Sequence, residues 1–103
     1  MSMEKTITIR SCRGQIIFFD DEDRGMFRWA CSLLPSHLKN DLRTYERCGR
    51  ALKFEFSADS VIIVVEPWEL TVEQIAQFLC KVYDAYFRRR YERSGKQTEY
   101  SII

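Results

Sequence analysis

No apolar run in this 103-residue chain approaches the ~18 residues that a membrane-spanning helix needs. Met1 to Arg10 contains no apolar stretch of the length a secretory signal requires. Both absences lead to an expectation of a cytoplasmic protein without membrane contact. The four cysteines, Cys12, Cys31, Cys48 and Cys80, include no C-x-x-C pair, which excludes a zinc ribbon and a thioredoxin-type motif. Free thiols are expected, with Cys31 and Cys80 acting as small hydrophobes inside helices. The single histidine, His37, sits beside no nucleophile signature, so it reads as a solvent-facing residue after the turn at Pro35. Net charge is nearly absent too: 16 Lys and Arg against 15 Asp and Glu give +1. There is no global pull towards nucleic acid or anionic lipid, and any basic surface must be local. The sequence carries no catalytic, cofactor or metal signature, and a non-enzymatic role is expected.

What the sequence does have is one well-marked stretch, Leu70 to Arg93, with the pattern of a long amphipathic helix. Thr71 is placed to cap it, Gln74 stands at the reciprocal position of a capping box, and Leu70 can staple onto Ile75. Spacing successive residues by 100° puts Val72, Ile75, Ala76, Leu79, Val82, Tyr83 and Tyr86 on one core-facing stripe. Ser94 and Gly95 are expected to stop it.

Upstream, Lys5 to Arg10 alternates Thr6 and Thr8 against Ile7 and Ile9, the period of a half-buried strand. Arg13 and Gly14 supply a turn, and Gln15 to Phe19 reads as a second strand, completing a hairpin. Asp20 to Asp23 then place negative charge where a helix start favours it, with the helix expected to run to about Leu34 before Pro35. That helix is apolar over a wide arc, through Met26, Phe27, Trp29, Ala30 and Cys31. Residues 36–48 fit a short second helix or an edge strand, the helix being favoured. Leu52, Phe54 and Phe56 alternate with Lys53 and Glu55 in a strand from Ala51 to Ser57, and Val61 to Val65 forms a central β-branched strand ended by Pro67. The expectation is an α+β two-layer sandwich: a four-stranded, mainly antiparallel sheet with two long helices on one face, in the order ββα(α)ββα. One domain spans residues 1–95, followed by a flexible tail at 96–103.

The run Gln15 to Phe19, the acidic helix start, Leu34-Pro35, the hairpin from Ala51 to Val65 and the final helix loosely resemble the small dimerising accessory subunits of the KEOPS tRNA-modification complex. That likeness rests on element order. The additional N-terminal strand and the absence of an Arg followed by Asn-Ser in the final helix depart from the pattern, so the chain is not assigned to the family.

Two surfaces stand out. Cys80, Phe87 and Tyr91 line a flank about 100° from the core stripe, and Trp29 and Trp68 are unassigned to the sheet core. These five residues mark an expected protein interface with a partner or a second copy. The alternative is the basic helix end. Arg88, Arg89, Arg90, Arg93 and Lys96 lie near Tyr83, Tyr86, Phe87 and Tyr91, a combination that holds phosphates and stacks on unpaired bases. The plainer reading is that these cations offset the helix dipole. Because Arg90 falls on the core stripe, the last turns are expected to project beyond the sheet. Two carboxylates of Asp20 to Asp23 could hold Mg²⁺, but at a helix start the run reads as a complement to the dipole. Ser101-Ile102-Ile103 resembles a ligand tail for a PDZ domain, though a frayed end is the simpler expectation.

Overall fold

A computed structural model describes residues 4–32, 49–67 and 71–103. Trp68, His37 and the helix-or-strand question at residues 36–48 fall outside the described residues. The elements run β1 (Lys5–Ser11), α1 (Asp21–Ser32), β2 (Gly49–Phe56), β3 (Ser60–Pro67), α2 (Val72–Tyr91) and β4 (Thr98–Ile102). Four strands form one antiparallel sheet in the spatial order β2-β3-β1-β4. Because β1 and β2 are both antiparallel to β3, they are parallel to each other; the same argument makes β3 and β4 parallel across β1. Each β-α-β unit therefore leaves a gap that a strand of the other unit fills, which is the ferredoxin-like, or split β-α-β, topology.

The expected first hairpin is not formed. The period-2 pattern of β1 is right, since Ile7 and Ile9 are buried while Thr6 and Thr8 are half-buried and Arg10 is exposed. Both edges of β1 are already taken, however, one by β3 and one by β4, so Gln15 to Phe19 has no place beside it. Instead the chain turns sharply: the amides of Arg13 and Gln15 both donate to the Ser11 hydroxyl, and Gly14 takes φ +69°. Neighbouring residues Ile17 and Phe18 are then both buried, and both of their amides donate to the Ala58 carbonyl. Two consecutive buried side chains plug the end of the core, which an alternating strand cannot do.

The missing strand is supplied by the stretch expected to be a tail. Thr98, Tyr100 and Ile102 lie opposite Ser11, Ile9 and Ile7, so they share the core face of the sheet. Among the described residues the element order is thus β-α-β-β-α-β rather than two hairpins with helices, and residues 98–102 are structural. A second shift occurs in β2, where Ala51 pairs with Val65 and Lys53 with Val64, leaving Leu52 as the extra residue of a bulge. Phe54 and Phe56 keep the core face as expected, but Leu52 is turned out to solvent.

The long helix begins as the sequence implies. Thr71 is extended (φ −72°, ψ 158°), its hydroxyl accepts the Gln74 amide at 3.2 Å, and the Gln74 side chain accepts the Thr71 amide at 2.9 Å. It ends earlier than Ser94, at Glu92, whose left-handed backbone (φ 53°) turns its N–H back to the Arg88 carbonyl. Ile75, Ala76, Leu79, Tyr83 and Phe87 of α2 join Phe27, Ala30 and Cys31 of α1 and Ile7, Ile9, Val61, Ile63 and Val65 of the sheet in one buried cluster. No described helix is long and apolar enough to cross a membrane.

Candidate functional site

The C-terminal end of α2 meets the N-terminal end of α1, and this meeting decides which side chains remain free. Asp20 caps α1 by accepting the Asp23 amide at 3.0 Å. Asp23, one turn in, is 0% exposed. Its carboxylate accepts the Phe19 amide at 2.9 Å and the hydroxyls of Tyr86 and Tyr91 at 2.6 Å each, and it is also bonded by the Arg90 guanidinium. Arg90 further reaches Asp20 at 2.8 Å and Glu22 at 3.1 Å. Helical spacing explains the set, since Tyr86 and Arg90 are one turn apart on α2 and Tyr91 is the next residue round. Burial alone would push the Asp23 carboxyl up, but the bonds from Tyr86, Tyr91, the Phe19 amide and Arg90 outweigh it and hold it below the usual range. Asp20 is likewise held low by Arg90. The Tyr86 hydroxyl is pushed up to about 12 by burial and by the carboxylate it donates to.

This clamp corrects one expectation and adds a second duty to the acids at the start of α1. Arg90 does not project beyond the body; it sits on the core stripe because the stripe continues from the sheet onto the start of the other helix. The acidic run has its lone pairs occupied by Arg90, by phenols and by backbone amides, which leaves Asp20 and Asp23 committed to holding two helices together.

Of the five residues expected at a protein interface, Trp68 lies outside the described residues, and the structure separates the other four rather than joining them. Phe87 is 0% exposed because Phe19 and Tyr91 cover it: the Tyr91 ring lies 4.7 Å from Phe87 and 4.9 Å from Phe19, while Cys80 is buried on the side of β4, beside Thr98. Tyr91 is half-buried, and its hydroxyl is held by Asp23. Trp29 alone among the four described ones stands out, at 53% exposed. It borders an open groove of about 620 Å³ between the two helices, with Met26 from α1 and Phe78, Val82, Ala85 and Tyr86 from α2 as apolar walls. Lys81 and Arg89 stand at the rim, and no acidic side chain lines it among the described residues. The sequence signal for this groove was the unusually wide apolar arc of α1, together with Phe78, which lies off the core stripe of α2.

The basic residues divide in the same way. Arg88, Arg89, Arg93 and Lys96 are exposed, and among the described residues none pairs with an acid; the Arg88 guanidinium donates to the Gly95 carbonyl at 3.2 Å. The aromatic partners expected beside them are engaged elsewhere. Tyr83 and Phe87 are buried, and Tyr86 and Tyr91 have their hydroxyls on Asp23.

A second cavity, of about 400 Å³, opens on the other flank of α2, against β4. Its floor holds Cys80, Asp84 and Thr98; the Asp84 carboxylate is buried and accepts the Gln97 amide at 3.2 Å and the Thr98 hydroxyl. Burial pushes the Cys80 thiol up to about 11 and the Cys31 thiol up to about 12, the opposite of what activates a nucleophile. Compared with protein-family models, with curated proteins and with solved structures, the chain matches none, so function has to be argued from its own surfaces. The likeness to the KEOPS accessory subunits loses its footing as well, because it counted Gln15 to Phe19 as a strand.

Proposed function

We propose that this chain is a small non-enzymatic protein-interaction module, an adaptor, inhibitor or accessory subunit working in the cytoplasm. In this reading the molecule is a two-layer sandwich whose helix layer presents the groove between α1 and α2 to a partner protein. The observation that carries the proposal is Trp29, a large aromatic left half in solvent at the border of an apolar groove; Phe19, exposed to a similar degree, lies instead over the rings of Phe87 and Tyr91. Partly exposed aromatics in a concave apolar setting are the side chains that anchor protein interfaces. The cationic rim of Lys81 and Arg89 selects a partner with acidic residues flanking its apolar contacts. A second copy of this chain presenting the same face would set cation against cation, which favours a different protein over a homodimer.

The test is affinity purification from the native host, followed by calorimetric titration of the purified partner against Trp29→Asp and against Lys81→Glu with Arg89→Glu. Each variant is expected to bind at least about tenfold more weakly while keeping the wild-type circular dichroism spectrum. Unchanged affinity in Trp29→Asp would sink the groove reading. Light scattering that shows a dimer dissolved by Trp29→Asp would transfer the groove to a second copy.

The alternative is binding of single-stranded nucleic acid through Arg88, Arg89, Arg93 and Lys96, supported by their exposure. It is the weaker reading, because the tyrosines and phenylalanine that would stack on bases are buried or tied to Asp23. A low-salt mobility shift that disappears in an Arg88→Glu, Arg89→Glu, Arg93→Glu variant would favour it.

A further inference from the structure

β4 is an edge strand, and its register shows which of its backbone groups are unused. The amide of Ile103 donates to the Thr6 carbonyl, and the amide of Cys12 donates to the Gln97 carbonyl. In an antiparallel ladder the bonded positions alternate, so Glu99 and Ser101 turn their N–H and C=O groups towards β1, in step with the Gln97 carbonyl and the Ile103 amide. Those of Thr98, Tyr100 and Ile102 point away from the sheet. None of these outward groups has a hydrogen-bond partner among the described residues. A row of unpaired backbone groups is a template for another extended chain. The cavity against α2 lies directly beside it, on the face to which Thr98, Tyr100 and Ile102 also turn their side chains.

We propose that the outer edge of β4 takes an extended acidic segment of a partner protein as a fifth strand, with one of the segment's carboxylates entering the cavity between β4 and α2. Strand addition of this kind draws affinity from main-chain bonds and specificity from a pocket for alternate side chains. The charge at the cavity chooses the occupant. Lys81, Arg88 and Lys96 stand around it. Of the two acids that also border it, Asp84 is buried with both oxygens occupied, and Glu99 is held by Arg10 at 3.0 Å. Pairing of β4 with β4 of a second copy leaves those three cations without a partner, because the strand's one acid is the Glu99 already bound to Arg10. This inference rests on the reading of the chain as a binding module, but it concerns the opposite flank of α2 from the Trp29 groove, the two sharing Lys81 alone among the described residues.

The probe is a fluorescein-labelled peptide of alternating valine and glutamate, titrated by anisotropy, with amide hydrogen exchange followed by NMR. Binding is expected to protect the amides of Thr98, Tyr100 and Ile102. It should weaken at least about tenfold when alternate peptide amides are N-methylated, and by a similar factor when lysine replaces glutamate. Lys81→Glu with Arg88→Glu should reverse the charge preference, and Lys81→Glu alone, on an exposed position, should reduce it without touching the fold. Trp29→Asp should leave peptide binding unchanged, so a failed groove and a failed edge are read separately. The proposal is overturned by no binding at millimolar peptide, by equal binding of the N-methylated peptide, by protection at other amides, or by a dimer in which the edge amides are protected without peptide.

Discussion

At the scale of single residues, Asp23 decides most. A carboxylate with four hydrogen-bond donors and no exposure is stable only while all of them stay in place, since removing one partner of a buried charged set costs about 3 kcal/mol or more. Asp23→Asn should lower unfolding stability by about 3 kcal/mol, measured by urea denaturation at neutral pH. The pH dependence follows in sign from the lowered carboxyl. A group whose folded value lies below its unfolded value of ~3.9 contributes fully above that value and loses its contribution as pH falls through the folded one. Wild type should therefore lose stability on acidification below about pH 4, and the gap between wild type and Asp23→Asn should narrow over the same range. None of this was legible beforehand. The acids at the helix start and the arginine on the core stripe were both visible, but nothing in either sequence pattern says that the two helix ends meet.

At the scale of elements, α2 was the most legible because its signals are local. A capping box and a 3.6-residue stripe need no knowledge of the rest of the chain, and the helix starts where they place it. Its end was less legible: a glutamate in the left-handed region is disfavoured by about 1 kcal/mol, so the sequence pointed onwards to Gly95. Glu92→Gly is expected to raise the melting temperature by relieving that cost, the equivalent of about 1 kcal/mol in thermal unfolding. The flank beyond the stripe is closed by two different parts of the chain, Phe19 of an irregular segment over Phe87 and Tyr91, and Thr98 of β4 beside Cys80. Phe87→Ala should consequently act as a core deletion, costing about 3–5 kcal/mol, and not as an interface change.

At the scale of the whole molecule, the number of strands was readable but their membership was not. Thr98, Tyr100 and Ile102 alternate with Glu99 and Ser101, so a strand signal was present in the last residues. A position near the end and a short length argued against it, while the apolar run Gln15 to Phe19 offered a nearer candidate. The choice between them is made by pairing, which depends on the rest of the sheet. Truncation after Gly95 tests the difference: removing β4 uncovers one whole side of β1 and should abolish cooperative unfolding, whereas loss of a dispensable tail would leave the transition intact.

The interleaved strand order also fixes how the two halves depend on each other. Cut at the turn through Ser57 to Asp59, the chain would give two pieces, each with a parallel pair of strands separated by a vacant slot. That slot is about two strand spacings wide, or roughly 10 Å between the flanking strands. Neither piece can close its own gap, and each holds the strand that closes the other's. The molecule is in this respect a pair of complementing fragments joined by one turn, with mixing of the two required to restore a complete sheet.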